Sequence, residues 1–303
     1  MERDLYFIDR NLLDQEKEIC QIINDKSNGN AKIGSGSSSF CSIISILKEC
    51  SFGYKPKRTE YKKYLKEILS LISEYNNQSG KISIAPEEKF KHEKERITRF
   101  LDYLNKNSCF QLIEDVIFSN NIKEVKNTII KLTRIEDYNL ISEFHADYSN
   151  YTSQQREDKI NELFNYIKEK NLKKNSIYTI TLILAIWGDK NAHGVLYHKG
   201  NSAWNVYSDL SIFELFHFSL EINKLISKYK EESIKNIMLV TKDEKLFNYY
   251  KYLYSQVINK KDNKIPVNKL SLEIEFLFDG SQSQLVNASS QHLNEIESFL
   301  LNS

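Results

Sequence analysis

Leu5-Tyr6-Phe7-Ile8 is a short, almost wholly apolar run that stops abruptly at Asp9. A run without polar alternation is buried on both faces, which predicts a strand inside a parallel sheet. Residues 11–23 follow with Leu12, Leu13, Ile19, Ile22 and Ile23 at helical spacing, so the chain opens as strand then helix. The Gly/Ser-rich stretch 28–39 reads as a loop, with Ser38 or Ser39 capping a helix over 40–47 and Glu49 near that helix's end.

From about residue 60 to 171 the pattern changes to charged amphipathic stretches at 61–75, 87–105, 110–132 and 158–170. Ile97, Phe100, Leu101 and Leu104 trace the i, i+3, i+4, i+7 stripe of a helix packed on one side. This block is expected to be all helical. Residues 176–187 are uniformly apolar, so periodicity leaves strand and buried helix open there. A buried helix is expected over 209–226, and a second short apolar strand over 236–241 that stops at Lys242-Asp243. An amphipathic helix over 244–258, a late strand over 270–278 and a closing helix over 289–301 complete the series.

Only 9 Gly and 3 Pro occur in 303 residues, which argues against an all-β sandwich or barrel with its many tight turns. At about 150 residues per domain, that length fits two domains or one domain with an insertion. Lys and Arg (42) nearly balance Asp and Glu (41), so any nucleic-acid partner must be met by local patches and not by overall charge. Cys20, Cys41, Cys50 and Cys109 include no C-x-x-C pair, which makes buried free thiols the expectation over a disulfide framework or zinc site. No apolar run approaches the roughly 20 residues of a membrane span, and the charged start Glu2-Arg3-Asp4 is unlike a secretory signal; a cytosolic protein without membrane contact is expected.

Asp9 and Asp243 share one grammar: apolar strand, abrupt acid, then helix. Functional groups of open α/β sheets gather beyond the carboxyl ends of strands, so two such acids can converge from opposite ends of a chain. Asp209 heads the expected helix before the second strand, and Glu49 ends an otherwise apolar one. Four acids brought together would repel one another unless a divalent cation sat between them. An all-oxygen ligand set selects Mg²⁺ or Mn²⁺ over zinc. Each acid also has a plainer use. Asp9, Asp209 and Asp243 are good helix caps, and Glu49 is an ordinary solvated residue of a helix end. Asn11 either orients Asp9 or caps the following helix, and Thr241 either supports Asp243 or fills a turn.

The phrase Tyr6-Phe7-Ile8-Asp9-Arg10-Asn11 resembles the first-strand signature of PIN-domain nucleases, and Leu239-Val240-Thr241-Lys242-Asp243 resembles their late strand-Thr-x-Asp signature. Asp209 and Glu49 match the family's remaining acids in order, and Ala203-Trp204-Asn205 resembles a phrase preceding the third acid in larger members. The likeness covers about residues 1–55 and 200–255. It implies an α/β fold, a central mostly parallel sheet flanked by helices, with an inserted all-helical region. The nuclease domain would comprise 1–55 and 176–280, the helical insertion 56–175 and a C-terminal helix 281–303. It further implies a nuclease with Asp9, Glu49, Asp209 and Asp243 as catalytic metal ligands, supported by Asn11, Asn205 and Thr241. Mg²⁺ or Mn²⁺ is the implied cofactor and RNA, ahead of DNA, the substrate. A role as a toxin or phage-defence effector follows from the family alone, with an antitoxin or other protein docked on the insertion, and homo-oligomers are compatible with it.

Lys55, Lys57 and Arg58 interleave with Tyr54 and Tyr61, and Lys242 and Lys245 lie beside Asp243; these are the candidate phosphate contacts. The rival reading is a PIN-like scaffold that binds nucleic acid or protein without cutting. Gly34-Ser35-Gly36 lacks the third glycine of a dinucleotide fingerprint. Asp189 and His193, four apart, offer two metal donors on one helix face, but Gly188 and Gly194 beside them favour a turn. A haloacid-dehalogenase phosphoesterase would need Asp two residues after Asp9, where Asn11 stands.

Overall fold

The computed structural model describes residues 2–9, 12, 15, 17–19, 21, 31–35, 110–112, 135–197, 201–203, 205–207, 209–214, 216, 220, 223, 233–270 and 290–301. They belong to two compact units. One contains Met1–Thr133, Leu215–Lys242 and Asn259–Leu270; the other contains Arg134–Glu214, Asp243–Ile258 and Ser271–Ser303.

In the first unit, strands β1 (Glu2–Ile8), β2 (Ala31–Ser35), β3 (Phe110–Leu112), β4 (Ser233–Val240) and β5 (Ile265–Pro266) form one sheet in the order β3-β2-β1-β4-β5. Every neighbouring pair is parallel except β4 with β5. β1 is central, and Leu5, Tyr6, Phe7 and Ile8 are all buried, as an apolar run between two strands requires. Burying each such side chain stabilises by about 1.5–3 kcal/mol. Phe7 also packs its ring 4.9 Å from that of Phe216. From β1 the chain moves outward to β2 and β3, and β4 then adds on the opposite side of β1, so the strand order reverses between β1 and β4.

The β5 edge is tied to β1 by polar groups, a buried lysine and its half-buried partners. The Lys264 ammonium lies 2.7 Å from Asp4, whose second oxygen accepts from the Asn236 amide at 2.6 Å. Burial alone would lower the Lys264 pKa, but the hydrogen bond and charge of Asp4 outweigh it and hold the ammonium above its ordinary value. Arg3 pairs with Ile234 and Asp4 with Asn236, so the register skips Lys235, which sits exposed in an ion pair with Glu2 at 3.0 Å.

The second unit is helical: α1 (Ile135–Phe144), α2 (Ser153–Glu169), α3 (Ile177–Ile186), α4 (Lys190–Leu196), α5 (Glu244–Leu253) and α6 (Ser290–Leu301). The segment whose pattern left strand and helix open is α3. All ten of its residues are buried, and the Ser176 hydroxyl accepts from the Thr179 N–H to start it. A helix apolar on every side needs neighbours all round, and α1, α2 and α4 pack against it. Arg156 of α2 closes the far end of α3, its guanidinium donating to the carbonyls of Ile186, Tyr148 (2.9 Å) and Tyr151 (3.1 Å). α2 itself begins with a capping box between Thr152 and Gln155. α6 stacks Phe299 on Phe164, centroids 3.8 Å apart, and His292 on Trp187 at 4.7 Å.

Three expectations change. Residues 28–39, read as a loop, contain the strand β2 at Ala31–Ser35, because this stretch can pair in parallel along β1 from Asp4 to Ile8. Phe110–Leu112, read as the start of a helix, is a strand parallel to β2, so the expected all-helical insertion contains a strand. Three residues are shorter than one helical turn, and the hydrogen bonds of a neighbouring strand decide their state. The two-residue strand β5 at Ile265–Pro266 is an addition to the expected series; the late strand expected over 270–278 lies outside the described residues apart from Leu270, which follows a short 3₁₀ turn. The turn expected around Asp189 and His193 is followed by a full helix, α4, with only Gly188 in the left-handed region at φ 94°. The helices expected over 40–47, 61–75 and 87–105 lie outside the described residues. Among those described, no helix is long and apolar enough to cross a membrane.

Candidate functional site

Asp9 follows β1 directly, and its N–H donates to the Val240 carbonyl at 2.9 Å, extending the β1–β4 ladder by one rung. Its own carbonyl accepts from Leu12 N–H at 2.9 Å, which turns the chain away from the sheet. The side chain is only 7% exposed and its Oδ2 accepts from the Thr241 hydroxyl. Thr241, read as either supporting Asp243 or filling a turn, donates to Asp9 because Ile8 pairs with Val240, so the next residue on each strand comes alongside the other. A buried carboxylate and a hydroxyl are thus held at the carboxyl ends of two parallel strands where the sheet order reverses. In α/β sheets that is the position at which ligands bind.

Beyond Thr241, the Lys242 ammonium meets Glu18 at 3.3 Å, both side chains being well exposed. Such a surface pair contributes at most about 1 kcal/mol. Lys242 is therefore spoken for by an acid while remaining open to solvent.

Asp243 belongs to the helical unit, where it is the N-cap of α5. Its Oδ1 accepts from the N–H groups of Lys245 (2.8 Å) and Leu246 (3.0 Å), and the residue is exposed. Its plainer use as a cap is thus realised. Asp209 is half-buried and helical, as are residues 205–207 before it; residue 208, which decides whether Asp209 opens its helix, lies outside the described residues. Asn205 is exposed, with its N–H 3.3 Å from the Ser202 hydroxyl. Lys245 is exposed, its stem lying against Gly194 of α4. Glu49, Asn11, Lys55, Lys57 and Arg58 lie outside the described residues. Among the described residues no three His, Cys, Asp or Glu side chains gather as a set able to hold a metal ion.

Two polar features of the helical unit involve Asp189 and His193, which the sequence singled out but whose partners it did not mark. Asp189 is fully buried as the N-cap of α4, accepting from Asn191 N–H at 2.9 Å and Ala192 N–H at 2.8 Å. Burial pushes its carboxyl pKa up, against the lowering effect of those N–H groups and of the Tyr252 hydroxyl. Close by, the hydroxyls of Thr181 and Tyr249 share a hydrogen bond of 2.7 Å in the core. The second feature pairs His193 Nε2 with Asp147 at 3.0 Å. Asp147 and His193 are 46 positions apart, and no local pattern marks such a contact.

Compared with family models, with curated proteins and with solved structures, the chain matches none.

Proposed function

We propose that the chain is a PIN-like endonuclease that hydrolyses phosphodiesters with Mg²⁺ or Mn²⁺, acting in the cytoplasm on RNA before DNA, as a toxin or phage-defence effector. The observation that carries this reading is the buried Asp9 carboxylate, held by Thr241 at the carboxyl ends of β1 and β4 where the strand order reverses. On this reading Asp9, Asp209, Asp243 and Glu49 hold the cation, and oxygen donors alone suit a hard ion. A bound divalent cation supplies an acidified water and stabilises the departing oxygen. Asp9 is pre-oriented for that task, because the Thr241 hydroxyl fixes one carboxylate oxygen. Asn11, Asn205 and the lysines around Asp243 are the supporting and phosphate-facing groups.

Cleavage of end-labelled single-stranded RNA in Mg²⁺ or Mn²⁺ tests it. Asp9→Asn with Asp243→Asn is expected to abolish cleavage, and activity that survives the pair overturns the assignment. The rival is a PIN-like scaffold that binds without cutting. Calorimetric titration with Mn²⁺ separates the two, since a scaffold has no reason to take up metal in an Asp9-dependent way.

A further inference from the structure

Helix α4 turns Ala192, Val195 and Leu196 inward, all buried. Its other face carries Lys190, His193 and Gly194, spaced i, i+3, i+4, and Tyr197, the C-cap residue with extended backbone, follows at the end of that face beside His193. Lys190 is exposed, and Tyr197 is one of two large hydrophobic side chains, with Leu301, that stand exposed among the described residues.

The Tyr197 ring sits beside two imidazoles, those of His145 and His193, with centroids 5.9 and 6.1 Å away and tilted by 47° and 48°. His193 is in turn fixed by Asp147 Oδ1 at 3.0 Å, and that oxygen also takes the Ser149 N–H at 2.9 Å. Gly194 has no side chain, and the Lys245 stem crosses there, 3.8 Å from where a Cβ would lie. The stem is laid along α4 while the ammonium stays in solvent.

An exposed aromatic ring flanked by neighbouring side chains loses little freedom when a flat partner stacks on it. Lys190 at the start of α4 and Lys245 beside Gly194, both exposed, supply the positive charge that suits a phosphate chain running past the ring. We propose that this face of α4, with Lys190, Tyr197 and the crossing Lys245, is a docking surface for single-stranded nucleic acid, one base stacking on Tyr197 and backbone phosphates meeting the two lysines. The proposal rests on the nuclease reading for its choice of partner, and its geometry lies wholly within the helical unit.

The test is fluorescence anisotropy of a labelled oligouridylate with the full chain in EDTA, where binding is read without cleavage. Tyr197→Ala is expected to weaken binding about tenfold, and Tyr197→Phe, which keeps the ring, to restore most of the loss. Lys190→Gln with Lys245→Gln is expected to reduce the slope of log affinity on log salt by about 1.4, the single-strand value for two phosphate contacts. An unchanged thermal midpoint in Tyr197→Ala shows that the fold is intact. Absence of oligouridylate binding by the unmodified chain overturns the proposal, as does equal binding by Tyr197→Ala. Cleavage in Mg²⁺ is scored separately. Tyr197-dependent binding without cleavage sinks the nuclease reading alone, whereas cleavage with Tyr197-indifferent binding sinks the docking surface alone.

Discussion

The sheet unit and the helical unit solve the same problem, the burial of polar groups, over different distances along the chain. In the sheet unit the partners come from far apart: Asp4 meets Lys264 and Asn236, and Asp9 meets Thr241. In the helical unit many of the buried polar groups close helix ends. Ser176 caps α3, Asp189 caps α4, and Arg156 takes the carbonyls of Tyr148, Tyr151 and Ile186. A helix satisfies its interior groups locally and leaves only its ends to be matched, whereas a strand depends on its neighbours throughout. The sheet unit therefore leans on side-chain pairs between strands, and the helical unit on caps.

If that contrast holds, the largest loss follows from removing one member of the pair that ties β5 to β1. Asp4→Ala leaves the Lys264 ammonium buried without its carboxylate and is expected to cost about 3–4 kcal/mol in urea unfolding. Replacing both partners, with Asp4→Leu and Lys264→Met, is expected to recover most of that loss. A double variant as unstable as the single one would show that the edge depends on something other than the pair.

Next comes the helical counterpart. Arg156→Ala strips donors from three carbonyls and is expected to cost about 3 kcal/mol. No partner substitution can rescue it, because the acceptors are backbone. A loss below about 1 kcal/mol would mean that water replaces the guanidinium, and that helix ends in this unit tolerate exposure.

The smallest effect concerns pH. The folded-state pKa of Asp189 lies above its unfolded value because burial outweighs the N–H groups and the Tyr252 hydroxyl that favour the ionised form. The stability contributed by its protonated form is thus complete below the unfolded pKa, about 3.9, and is lost as pH rises through the folded pKa. Asp189→Asn keeps a capping oxygen and removes the titration. The variant is expected to show a flatter stability profile upward from about pH 4, followed by chemical denaturation at each pH. An unchanged profile would assign the slope to other groups.

Much of the element order was legible locally. The run Leu5 to Ile8 lies inside β1, the strand expected over 236–241 is β4 at Ser233–Val240, and α5 and α6 begin within one residue of the positions read for them. The short elements were not legible. β2, read as loop, and β3 and β5 have five, three and two residues, and their state comes from the strands beside them. Nor was α3, since a segment buried on every side carries no periodicity. At the candidate site, Asp9 was readable as an acid that ends an apolar run, but its partner was not. Thr241 read as either an attendant of Asp243 or a turn residue, and its hydroxyl bonds Asp9 across the sheet.

The sequence by itself determined where apolar runs end in acids, which stretches repeat at the helical period, and which residues stand ready to cap. These are properties of neighbours along the chain, set by side-chain chemistry and spacing. Only the tertiary structure decided that β4 adds beside β1, so that residues 9 and 241 meet at the reversal of the strand order. It alone decided that Asp147 fixes His193 and that Tyr197 stays exposed beside it. Those outcomes depend on which surfaces pack together, and packing joins residues that no local pattern relates.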